Sequence, residues 1–175
     1  MTAAAPQPGI DLASLRQGFD DAFAARHEPA DGATLDMVIL VAAQHRFGVL
    51  LGQVAGIHHA GRLAPMPDAP AGFLGIAATR LEMVPAYRLA SVLGLGDAGG
   101  APRLLMISRH PGRIAFVPDA FGGFERVPVP RFHRTPVDAR AAVPCAGHAS
   151  IGAERLPVLD LLALAGRLDR TAVPT

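Results

Sequence analysis

Two stretches of this chain repeat themselves in order, and that doubling limits the folds open to it. Arg46-Phe-Gly-Val-Leu-Leu-Gly-Gln-Val-Ala-Gly-Ile57 aligns without a gap on Arg113-Ile-Ala-Phe-Val-Pro-Asp-Ala-Phe-Gly-Gly-Phe124, an offset of 67 residues. The arginine, five apolar positions and the penultimate glycine correspond. A second block, Gly75 to Leu89, aligns on Gly147 to Leu161 at an offset of 72, with Gly, Ala, Glu, Pro and Leu in register and Gly94 falling on Gly166. One coincidence is easily met in a chain rich in Ala, Gly and Leu; two ordered blocks are not. The pattern predicts two similar β-subdomains, each with a hairpin, a turn into glycine, and a strand that runs through proline into a short helix. Each half alone is small, so the two are expected to share one interior.

Local patterns agree with a β-rich fold. MVILVAA (37–43) is an apolar run rich in branched residues, and from Arg46 to Leu51 apolar residues alternate. Joined by Gln44-His45, they predict a hairpin. Further strand-like runs cover 72–79, 82–86, 103–108 and 113–117, with the 19 Gly and 16 Pro falling between and within them. Short helices are predicted at 87–94 and 160–168. Ahead of all this, Leu12, Leu15, Phe19 and Phe23 form a helical stripe between a capping Asp11 and Arg26-His27, with Pro29 as a stop. The expected organisation is therefore an N-terminal extension over 1–34, with this helix and a linker, and a β domain over 35–170. The stripe reads as cover for the protein's own core, or as a docking face.

Composition removes several function classes. Half of the 175 residues are apolar and 18% are charged, enough for a core and too little net charge for disorder. The net charge is +1, and all 16 basic residues are Arg, spread along the chain. No field draws in nucleic acid or an anionic membrane, and with no Trp and one Tyr there is no stacking platform for bases. The single cysteine excludes an internal disulfide framework and a multi-cysteine zinc site. The start lacks a secretory pattern, and the longest uncharged run, 47–61, is too short for a bilayer span. A cytoplasmic protein without direct membrane insertion is expected.

No constellation reads as catalytic. His58-His59 would point to opposite faces of a strand and reads as a rim pair rather than a metal site. Cys145-Ala-Gly-His148 has a spacing that joins thiol and base only on a helix, which Pro144 and Gly147 oppose. Gly94 to Gly100 lacks the Lys-Ser/Thr of a phosphate loop and reads as a flexible connection. Asp119, Asp138 and Asp160 read as turn and cap residues. No cofactor or metal is implied.

The residues do resemble a family. Arg46–Ile57, the series Pro65-Met66-Pro67-Asp68-Ala69-Pro70 leading to Gly75, Arg80 and Pro85, the hairpin from Arg113 to Gly123 and the segment from Ala149 to Leu162 are similar to the CheW-like domain of bacterial chemotaxis coupling proteins and kinases. The resemblance covers about residues 36–168. It implies an all-β fold with short helices: two five-stranded β-barrels sharing a hydrophobic core. It also implies a non-enzymatic adaptor between a chemoreceptor cytoplasmic tip and a histidine kinase regulatory domain. By carry-over, Val54, Ile57, Gly75 and Arg80 line the receptor-facing groove between the barrels, and the kinase meets apolar surface of one half. Arg80 suits either a receptor carboxylate or carbonyl, or an internal rim salt bridge.

Four positions depart from the family: Gly56 replaces an acidic residue, Ala78 an Asn, Leu81 a Gly, and Arg88 an Asp. They fit a divergent adaptor, for a pilus-type or another non-motility system, as well as standard coupling. Two other readings stay open: a small hydrolase or thiol enzyme using Cys145 and His148, and a small-ligand-binding β module.

Overall fold

The computed structural model describes residues 32–80, 82–96, 99–136 and 143–172. All lie in the unit Gly32–Thr175. The helix expected over Asp11–Arg26, and Leu81 and Asp138, fall outside the described residues.

Twelve strands and two helices follow one another here. They are β1 (Thr34–Ala42), β2 (His45–Leu50), β3 (Val54–His59), β4 (Leu63–Ala64), β5 (Phe73–Ala78), β6 (Met83–Arg88), α1 (Leu89–Val92), β7 (Leu104–Ser108), β8 (Ala115–Val117), β9 (Ala120–Pro128), β10 (Phe132–Arg134), β11 (Cys145–Ile151), β12 (Glu154–Leu159) and α2 (Leu161–Ala172). They form two six-stranded sheets, ordered β10-β11-β12-β2-β1-β9 and β3-β7-β8-β6-β5-β4. The all-β architecture with short helices is as expected. Each sheet has six strands where five were expected, because a short edge strand, β10 or β4, joins it.

The repeat is real, and it reaches individual pairings. Tyr87 faces Phe116 across the parallel β6–β8 ladder, and Leu159 faces Val49 across the parallel β12–β2 ladder. These are the same two positions displaced by 72 and 67 residues. The bulge between Phe73 and Gly75 recurs between Cys145 and Gly147. Gly75 (φ +132) and Gly147 serve one purpose: a β-carbon at either would strike a backbone carbonyl, of Ala64 or of His133.

The two repeats are not the two sheets, however. Repeat one spans β1 to α1 and repeat two β7 to α2, yet β1–β2 pair in the sheet that holds β9–β12, while β7–β8 pair in the sheet that holds β3–β6. Each repeat lends its first hairpin to the other. The two expected β-subdomains are therefore each assembled from strands of both repeats. The two outer edges of a lent hairpin pair with strands of the other repeat, so neither repeat completes a sheet alone.

Burial follows from this exchange. Along β1, Val38, Leu40 and Ala42 enter a central cluster with Tyr87, Leu89, Phe116, Leu159, Leu161 and Leu164, drawn from both repeats. The intervening Met37 and Ile39 enter a second cluster with Val127, Leu156 and Val158. β7 does likewise: Met106 joins the central cluster, and Leu105 and Ile107 join a third with Val84, Ala86 and Val117. A strand covered on both faces needs a continuous apolar run, which is why MVILVA and LLMI do not alternate.

Candidate interaction surface

The strands β3 and β9 carry the chain from one sheet to the other. After β2 a 3-10 turn, Leu51–Gln53, redirects the chain into β3, at the edge beside β7. After β8, Pro118 and Asp119 turn it into β9, at the edge beside β1. Both crossings are tied to the opposite repeat. Arg109 donates from Nε to the Val54 carbonyl at 2.9 Å, and its backbone N–H donates to the Gln53 carbonyl at 2.8 Å. Asp119 accepts the Ala43 N–H at 2.6 Å, and its own N–H donates to the Val41 carbonyl at 2.9 Å.

These ties fix the candidate residues differently. Val54 is 5% exposed and belongs to the central cluster. Ile57, on the same strand, is half-buried and rests against that cluster. Between them Gly56 lies under the His58 ring: a β-carbon there would sit 2.7 Å from Nε2, so a larger residue at this position would require the histidine side chain to move. Gly75 is buried in the β4–β5 contact already described. Val54 and Gly75 therefore shape the surface from beneath and present no side chain to a partner.

Arg80 is exposed, in the turn between β5 and β6. That turn is closed locally, with the Thr79 N–H donating to the Glu82 carbonyl at 2.8 Å and the Glu82 N–H donating to Thr79 Oγ1 at 3.1 Å. The salt bridge considered for Arg80 is made instead by its neighbour Glu82 with Arg113. Arg80 itself has no ion pair among the described residues. The Arg113 hydrogen bonds, offset in part by burial, hold the Glu82 carboxyl below its usual range, and the His58 charge adds to this.

Two further residues occupy the equivalent positions of the other crossing strand, β9. Phe121 and Phe124 meet edge to face on β9, with ring centres 5.3 Å apart. Phe121 rests against the central cluster, whereas Phe124 is 64% exposed. Phe121 falls within the family-like hairpin Arg113–Gly123 and Phe124 just beyond it, and the 67-residue offset places both, carrying Val54 onto Phe121 and Ile57 onto Phe124. The Phe124 ring is thus held beside an anchored one with most of its face open to contact.

The remaining candidates resolve as follows. Cys145 and His148 sit on β11 opposite Leu159 and Pro157, with His148 also facing His133, and no hydrogen bond joins thiol and imidazole. Burial pushes the Cys145 thiol above its ordinary range, the reverse of what a nucleophile needs. Neither observation supports the thiol-enzyme reading. Asp160 accepts the Ala163 N–H at 3.0 Å, as the cap of α2 should. Among the described residues no three His, Cys, Asp or Glu side chains converge as a metal site would require, and no helix is long and apolar enough to cross a membrane.

Residues 36–169 match the CheW-like domain family. No curated protein matches the chain as a sequence. Among solved structures the chain is similar to the scaffolding protein TtCheW from Thermoanaerobacter tengcongensis, at 18% identity and a TM-score of 0.65, over 75% of this chain and 92% of that one. At that identity the likeness is one of fold.

Proposed function

The chain belongs to the CheW-like domain family, and from that premise we propose that it is a non-enzymatic adaptor that couples a chemoreceptor cytoplasmic tip to a histidine kinase regulatory domain. The observation that carries this reading is Phe124: a large apolar ring, mostly in water, on a strand whose backbone and inner neighbour are anchored. Such a ring binds by being covered, and it performs no chemistry.

In this reading the receptor tip lies against the crossing strands β3 and β9. Ile57 and Phe124 supply apolar contact, Val54, Phe121 and Gly75 hold the strands beneath them, and Arg80 reaches a carboxylate or carbonyl on the receptor helix. A guanidinium suits that task because its donors are fixed in a plane. The kinase regulatory domain meets apolar surface of one sheet end.

Affinity capture and calorimetry with the full chain test the proposal, using receptor tips and kinase regulatory domains encoded in the same genome. Binding to one of each is expected, with Arg80→Glu weakening the receptor arm alone. Failure to bind any such partner would overturn it.

A further inference from the structure

We propose that the outer face of β10, β11 and β12 is a docking surface for an acidic segment of a partner protein, held more tightly as pH falls. The register defines that face. His133 faces His148 across β10–β11, His148 faces Pro157 across β11–β12, and Ser150 faces Arg155. The intervening Phe132, Ala149 and Leu156 turn inward to the cluster of Met37 and Val158, which leaves the first set on the opposite face. Arg131 leads into β10 from the turn before it and is exposed, as are His133 and Arg155; His148 is half-buried.

The repeat shows that the fold does not require charge there. In the other sheet the pairs Ala64–Ile76, Ile76–Pro85 and Ala78–Met83 stand where His133–His148, His148–Pro157 and Ser150–Arg155 stand in this one. Only the proline is kept. One face is apolar, with Met83 78% exposed, and its counterpart carries two imidazoles and a guanidinium. A scaffold that accepts both chemistries leaves the difference to what each face meets.

The cations are uncommitted. Among the described residues, Arg131, His133, His148 and Arg155 have no side-chain hydrogen bond or ion pair. The three strands hold one acid, Glu154, and it is paired with Arg46. β9 also approaches β11; its Glu125 lies opposite Met37, on the inward side, and its Arg126 is paired with Asp36. A histidine gains its charge between about pH 8 and pH 5, and like charges directly opposite on neighbouring strands repel. Carboxylates laid over the pair relieve that repulsion and meet the arginines beside it. A short acidic segment fits this face better than a nucleic acid does. Without Arg131 and Arg155 the 16 basic residues fall to 14 against 15 acidic, so a polyanion running past the patch gains no further net attraction.

The test is titration of the full chain with acetyl-Gly-Glu-Gly-Glu-Gly-Glu-Gly-amide at constant ionic strength, at pH 6 and pH 8, read by amide chemical shifts. Saturable shifts at 131–134 and 148–157 are expected, with affinity about fivefold higher at pH 6, the scale of two exposed ion pairs. Arg155→Gln weakens binding at both pH values by about threefold, the scale of one such pair. His133→Gln, at an exposed position, removes part of the pH dependence, and adding His148→Gln removes the rest. Met83→Gln, on the equivalent apolar face, leaves binding unchanged. Absence of saturable shifts, equal affinity at the two pH values, or equal binding of the peptide with Gln in place of Glu overturns the proposal. Tighter binding of a thymidine oligonucleotide of the same charge also overturns it, by making the partner a nucleic acid. No receptor or kinase enters the titration, so this proposal and the coupling reading fail separately.

Discussion

Arg113 closes on Glu82 with Nε 3.1 Å from one carboxylate oxygen and 3.0 Å from the other, and the pair ties the second repeat to the first. Arg46 and Glu154, the residues that the two offsets place at the same positions, form the matching pair in the other sheet. The Glu82 carboxyl is held below its ordinary value of 4.5, chiefly by the Arg113 hydrogen bonds. A lowered folded-state pKa contributes stability that is fully present above the unfolded value and is lost as pH falls through the folded one. Glu82→Gln is therefore expected to melt below wild type at neutral pH, with the gap closing in acid beneath pH 4.5. Melting curves across that range check it; a gap that persists in acid would locate the loss elsewhere.

Gly75 and Gly147 carry the second prediction. Alanine at either drives a β-carbon into a backbone carbonyl of the adjoining edge strand, which cannot yield as a side chain tip would. Overpacking of this kind costs about 1–3 kcal/mol, so both variants should lose that much in urea denaturation. Gly61→Ala, with nothing within 4 Å of the added carbon, should be near neutral.

The turn between β1 and β2 is strained in a way that can be relieved. Ala43 and Gln44 have φ of 47° and 67°, left-handed conformations that favour Gly or Asn. Gln44 is exposed, so Gln44→Gly should raise stability by about 1 kcal/mol, readable as an increase in melting temperature.

Cys145 provides a chemical readout of the folded state. Burial holds its thiol above the ordinary value of 9.0. Alkylation at neutral pH should be slow in the native protein and rapid in denaturant. For this acid the raised folded pKa means that stability is complete below pH 9.0 and declines as pH rises through the folded value. A native thiol as reactive as the denatured one would contradict the burial.

The repeat was legible in the sequence down to single positions because its markers are ones the fold cannot vary. Gly75 and Gly147 have no room for a side chain, and Arg46–Glu154 and Glu82–Arg113 bridge equivalent strands. The exchange of hairpins was not legible: side-chain periodicity reports which face a strand buries and says nothing of which neighbour it pairs with. β9 escaped for a related reason. It is an edge strand whose burial changes along its length around the bulge at Gly122, opposite Ile39–Leu40, so AFGGFERVP has no period to detect.

Phe124 and Phe121 separate docking from folding. Phe121 is partly buried on the central cluster, so Phe121→Ala should lower stability, and any loss of binding would be mixed with that defect. Phe124 is 64% exposed, so Phe124→Ala should leave the melting temperature nearly unchanged, apart from the edge-to-face contact it gives up. If the crossing strands β3 and β9 are the receptor-facing surface, the same substitution should weaken receptor binding by about tenfold, or about 1.4 kcal/mol, and leave kinase binding intact. Ile57→Ala should weaken the same arm, since the repeat sets it at the same position on β3. Calorimetry of both variants against both partners decides the point: unchanged receptor affinity in Phe124→Ala would move the docking surface off β9.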